Sequence, residues 1–155
     1  MTINSDDANL RRGIDHIGVS ATALVHDGQG HLLLQKRGLQ ARDERGRWDL
    51  CGGAIEFGDT IEETLHKELL EELCAVPLEM EFLTVYDAHR QTDDGTKTHW
   101  VAIIYAVKVD SATVKIGEPH KIAELGWFTS KTLPEPLHSQ FHKAFDVAKL
   151  RKIVL

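Results

Sequence analysis

The chain has 155 residues, 42% of them hydrophobic and 27% charged, the composition of an ordinary globular domain large enough to bury its own core without staples. A formal charge of −6 argues against a broad basic surface for extended nucleic acid or anionic lipid, and no apolar run approaches the ~20 residues of a membrane span. The two cysteines, Cys51 and Cys74, are too few for a disulfide framework and fit a reduced, cytoplasmic protein.

Residues 1–12 are polar, lack the apolar core of a signal peptide and are expected to be a flexible N-terminus, with 13–155 forming one domain. Ile14 to His26 reads as a strand in which Ile17, Val19, Ala21, Ala23 and Val25 alternate with Gly18, Ser20, Thr22 and Leu24. Asp27-Gly28-Gln29-Gly30 is a turn, and His31 to Arg37 returns as the second arm of a hairpin. A charged loop, residues 38–47, leads to a short apolar run at Trp48 that breaks at Gly52-Gly53.

Thr60 with Glu63 three positions later forms a capping-box pattern, so a helix begins there. Ile61, Leu65, Leu69 and Leu73 give it one apolar stripe. Glu68, Glu71 and Glu72 are spaced by three and four and share one arc at the edge of that stripe. Like charges so placed repel unless a cation sits among them, and carboxylate oxygens suit a hard ion such as Mg²⁺ or Mn²⁺. The commoner fate of such a run is a solvated helix face, which is how Glu62 and Glu63 read.

After Pro77, residues 78–90 form a strand with Met80, Phe82, Val85 and Tyr86 as packing residues. Across a polar turn, the run from Thr98 to Val109 is the most apolar in the chain and is expected to lie inside the sheet, paired antiparallel with its predecessor. That pairing brings His89, His99 and Trp100 towards one end, either as the rim of a base-binding pocket or as a core tryptophan with two exposed histidines. The nine histidines are otherwise scattered, with no local metal-ligand spacing. The tail reads as a helix with Pro136 in its first turn and Leu137, Phe141, Ala144, Phe145 and Ala148 facing the core. Composition and element order alone reach an α+β or α/β class.

The stretch from Trp48 to Ala75 resembles the Nudix box of the Nudix hydrolase superfamily (MutT-like). Gly53 stands at its first glycine, Asp59 where a glutamate is usual, and Lys67 where an arginine is usual. Glu68, Leu69, Glu71 and Glu72 match outright, while Cys74 replaces the final glycine. The resemblance implies an α/β/α sandwich around a mixed sheet and hydrolysis of a diphosphate bond in a nucleoside diphosphate linked to another group. Nucleoside triphosphates, nucleotide sugars and ADP-ribose all satisfy that chemistry, with a slight tilt towards a triphosphate. Gly52 or Gly53 carbonyls with Glu68, Glu71 and Glu72 are then the metal ligands, and Glu71 or Glu72 is the base that takes the proton of the attacking water. Lys67 helps hold charge in place, and Arg37, His99 and Glu118 are substrate-side candidates, Glu118 also as an extra carboxylate for the metal. The departures at Asp59, Lys67 and Cys74 leave a non-catalytic nucleotide sensor as the rival. A small nucleotide is the expected partner, and an apolar edge or the last helix offers a surface for a homodimer.

Overall fold

Strand β1 (Gly18–His26) is the axis of the fold because both its faces are apolar: Ala21, Ala23 and Val25 are buried on one side and Leu24 on the other. The computed structural model describes residues 9–155, so residues 1–8 of the expected flexible segment lie outside the described residues. The ladder starts at Gly18 and not at Ile14. Residues 11–16 form a tight turn in which Arg11 holds Asp15 through side chain and backbone and the Gly13 N–H donates to the His16 carbonyl.

The other strands are β2 (Leu32–Arg37), β3 (Trp48–Asp49), β4 (Cys51–Ala54), β5 (Glu79–Gln91), β6 (Lys97–Lys108) and β7 (Ile122–Phe128). They form a seven-stranded mixed sheet of order β3-β2-β1-β6-β5, with β4 also on β1 and β7 on β2. β1 and β6 run parallel, whereas the remaining pairs are antiparallel. β6 is interior as expected, between β1 and β5. The third strand is split at Leu50: Trp48 and Asp49 pair with β2, then the chain crosses to lay Cys51–Ala54 along β1.

Helix α1 (Ile61–Leu73) covers one face, burying Leu65, Leu69 and Leu73 on Ala21, Ala23, Leu33 and Val107. Helix α2 (Phe141–Leu150) covers the other with Phe141, Ala144, Phe145 and Ala148 against Leu24, Leu34 and Ile104. The result is the expected α/β/α sandwich.

Two expectations are corrected. Leu83, not Phe82 or Val85, is the large apolar side chain that β5 buries, with Ala88 further along; Phe82 and Val85 are exposed. A bulge between Phe82 and Thr84 is the cause, since one extra residue moves the even positions from the α1 face to the α2 face. The last helix begins at Phe141, because Pro136 and His138 are tied as an extended segment to Trp48 by backbone hydrogen bonds of 2.9 and 2.8 Å.

Candidate active site

The site is built where β4 passes beneath α1. Thr60 caps the helix, its hydroxyl accepting from the Glu63 N–H while Glu63 accepts from the Thr60 N–H, which fixes the helix phase from its first turn. With the apolar stripe buried on β1, the 3.6-residue repeat places Glu72 inside, Glu68 half-buried and Glu71 exposed. Gly53 lies directly below: a Cβ there would sit 2.4 Å from Glu68 Oε1, so only glycine leaves room for that carboxylate.

Glu72 is 6% exposed and accepts at Oε2 from Gln35 Nε2 and from the Cys51 thiol, both at 3.2 Å. Burial pushes its pKa up to about 7, reinforced by the charge of Glu68 against the hydrogen bonds from Cys51 and Gln35. Burial also raises Glu68, whose carboxylate charge and that of Glu72 disfavour each other. The Cys51 thiol is raised well above its ordinary value, by burial and then by Glu72, so it stays a neutral donor.

A fourth carboxylate arrives from the segment after β6. The N–H groups of Lys115 and Gly117 donate to the Leu73 and Glu72 carbonyls at 3.0 and 2.8 Å, closing the C-terminal end of α1 and carrying Glu118 towards its acids. Glu118 Oε2 lies 3.4 Å from Lys121 Nζ and 3.8 Å from His120 Nε2, while its Oε1 is buried with no hydrogen-bond partner. Lys121 and Glu118 both act on the charge of Glu68, in opposite directions.

The departures from the Nudix pattern are coupled. Lys67 Nζ donates to Asp59 Oδ2 at 2.7 Å, so the shortened acid and the substituted base hold each other. Both line a cavity of about 150 Å³ with Glu56, Glu68 and Glu71. Cys74 takes the left-handed conformation, φ 53° and ψ 28°, in which glycine is free of Cβ strain.

Of the residues singled out in the sequence, Gly52, Gly53, Lys67, Glu68, Glu71, Glu72 and Glu118 belong to this region. Arg37 and His99 make their side-chain contacts with other acids. Arg37 donates through Nη2 to Asp43, through Nη1 to Asp49 and through Nε to the Asp43 carbonyl. His99 lies on β6 opposite His89. Gln35 and Cys51 were missed, since only register shows that they face Glu72.

The donor set fits a hard divalent cation. Glu68 and Glu72 are oxygen donors whose charge burial disfavours, Glu118 Oε1 is a further oxygen without a partner, and Gly53 lets the chain pass close beneath.

A family model for the NUDIX domain matches residues 16–147. The chain belongs to the NUDIX domain family. The segment that resembles the Nudix box, Gly53 to Ala75, lies within that match, and Nudix hydrolases generally use divalent cations. The chain is 27% identical over 137 residues to the ADP-ribose pyrophosphatase of Methanocaldococcus jannaschii, covering 88% of this chain and 72% of that one. A MutT NUDIX hydrolase from Burkholderia pseudomallei superposes with a TM-score of 0.74 at 30% identity, covering 84% of this chain and 97% of that one. The NUDIX domain of Shewanella oneidensis NrtR, solved with ADP ribose, gives a TM-score of 0.70 at 22% identity, with 97% and 99% coverage, and attests the fold.

Proposed function

We propose that this Nudix protein hydrolyses the phosphoanhydride bond of a nucleoside diphosphate linked to another group, with Mg²⁺ as the working ion and Mn²⁺ able to replace it. The observation that carries the proposal is buried Glu72 beside half-buried Glu68, with Glu68 set over a glycine that no other residue could replace without moving its carboxylate. Glu68, Glu72 and the Gly52 or Gly53 carbonyl hold the ion, with Glu118 as a further ligand. When bound, the ion neutralises charge on the diphosphate and favours attack of water at phosphorus.

The chain's own residues supply the rest. Gln35 and Cys51 fix the Glu72 carboxylate by donating to one of its oxygens. Glu71, exposed at the cavity one position away, is free to accept the proton of the attacking water. Lys67, held by Asp59 at the cavity wall, offers positive charge to the phosphate that departs. Lys121, paired with Glu118, and Arg37, paired with Asp43 and Asp49, are further cations for the phosphates.

ADP-ribose is the first substrate to test, because one relative is an ADP-ribose pyrophosphatase. Cleavage at its diphosphate gives AMP and the phosphorylated ribose, each product keeping one phosphorus. A panel of ADP-ribose, nucleotide sugars and nucleoside triphosphates with Mg²⁺, with Mn²⁺ and with EDTA separates the readings. The proposal expects metal-dependent release of a nucleoside monophosphate, lost by orders of magnitude in Glu71→Gln. Ligand-induced thermal stabilisation without turnover of any substrate would make the protein a sensor instead.

Both thiols are free, in keeping with a reducing compartment such as the cytoplasm, and no helix among the described residues is long and apolar enough to cross a membrane. Exposed Phe82 and Val85 on edge strand β5 are the surface on which a homodimer would form, which light scattering of the Phe82→Lys variant tests.

A further inference from the structure

β5 and β6 pair so that His89 lies directly opposite His99, and the two rings are 4.2 Å apart between centroids. Asp87 is two residues before His89, hence on the same face of the strand, and its Oδ1 lies 2.8 Å from His99 Nε2. One ligand atom from each residue falls within 4.8 Å of the other two, a grouping found nowhere else among the described residues. By alternation along β6 these side chains share a sheet face with Tyr105 and Val107, but Asp87 and His89 are open to solvent.

We propose that Asp87, His89 and His99 form a binding site for a borderline transition-metal dication, Zn²⁺ foremost, separate from the glutamate cluster on α1. Two imidazoles and one carboxylate are the donor set that Zn²⁺ takes and that Mg²⁺ does not. Zinc bonded at about 2.0–2.1 Å to each donor needs donor separations of roughly 3.3 Å in a tetrahedron, which small side-chain rotations reach from the spacing seen here. Three protein ligands leave the fourth position to water.

The surroundings support the site. The His99 N–H is anchored to the Gly13 carbonyl at 2.8 Å, and Lys143 Nζ donates to the Asp87 backbone carbonyl at 3.0 Å, leaving the Asp87 carboxylate to the histidines. The ammonium of Lys143 also acts on Asp87, and a bound dication would have to tolerate it. Because ligands come from both arms of the hairpin that turns at residues 92–96, the ion would staple β5 to β6. Binding only to the folded state raises its stability.

Isothermal titration of the full chain with Zn²⁺ in saturating Mg²⁺, which keeps the glutamate cluster occupied, tests this. The expected result is one saturable equivalent accompanied by a rise in Tm. His89→Ala and His99→Ala should each weaken binding by at least the roughly tenfold that losing even an outer-shell partner costs, and abolish the rise. Glu72→Gln should retain both. His89 is exposed and His99 partly open, so neither substitution touches the core, and circular dichroism checks that all three variants fold. Absence of saturable Zn²⁺ binding, binding indifferent to both histidine substitutions, or binding lost in Glu72→Gln would each overturn the site. Its failure would leave the hydrolase reading untouched, since Mg²⁺-dependent turnover is measured separately.

Discussion

Glu72 is the residue whose cost to the empty fold can be worked out most directly. Holding a carboxyl with an ordinary value of 4.5 up to about 7 penalises the folded state above pH 7 by on the order of 3 kcal/mol. The folded form keeps a proton that the unfolded chain releases, so between pH 4.5 and about 7 stability falls as pH rises, and above that it levels off. Glu72→Gln removes the charge and keeps an oxygen to accept from Gln35 and Cys51. In EDTA at pH 8 the variant should therefore be more stable than the wild type by up to about 3 kcal/mol, or about 6–12 °C in Tm for a domain of this size. At pH 5 the two should converge. Adding Mn²⁺ should reverse the order, since only the wild type offers the ion a full carboxylate pair. Thermal unfolding by circular dichroism at several pH values reads all of this. A variant less stable than wild type in EDTA at pH 8, or a gap independent of pH, would refute the picture of a carboxylate strained by burial.

Three further outcomes follow from the same geometry. Gly53→Ala places a methyl 2.4 Å from Glu68 Oε1, a flexible group that can swing away, so the protein should fold while metal-dependent turnover falls roughly a hundredfold, as steady-state assays would show. Cys74→Gly relieves a left-handed residue of about 1–2 kcal/mol of strain against the entropy glycine adds to the unfolded chain, and denaturant melts should show a gain of about 0.5–1 kcal/mol. Glu44 is subject to burial, which alone would raise its pKa, but His138 at 2.7 Å and the Ser139 N–H outweigh this and hold it well below the usual carboxylate range. Its stabilisation is present above pH 4.5 and lost as pH falls; Glu44→Ala should cost about 3 kcal/mol at pH 7 in urea melts, with a gap that narrows in acid.

Much of the motif helix was legible in the sequence because its signals are local. A capping box, a four-residue apolar repeat and three acids in one arc are read within one stretch of chain, and the structure places the cap, the buried stripe and Glu72 accordingly. What escaped depends on register or on distant loops. The bulge at Leu83 reverses which residues of β5 are covered, and no composition signal marks it. The ion pairs of Arg37 with Asp43 and Asp49 are set by where the 38–47 loop and β3 fall, not by anything local to Arg37. Likewise Arg90, Glu44 and His138 meet from three separate segments to tie the 38–47 loop to the start of α2. Asp87, His89 and His99 have no metal-ligand spacing along the chain and converge only through the β5–β6 pairing.

The central claim is that Glu68 and Glu72, over the glycines of β4, grip a divalent ion for phosphoanhydride cleavage. Anomalous diffraction from crystals soaked in Mn²⁺ measures this most directly. The account predicts a manganese peak within bonding distance of the Glu68 and Glu72 carboxylates and a Gly52 or Gly53 carbonyl, absent in Glu72→Gln. A fully occupied wild-type soak that leaves those oxygens without an ion, their side chains turned to solvent, would contradict it.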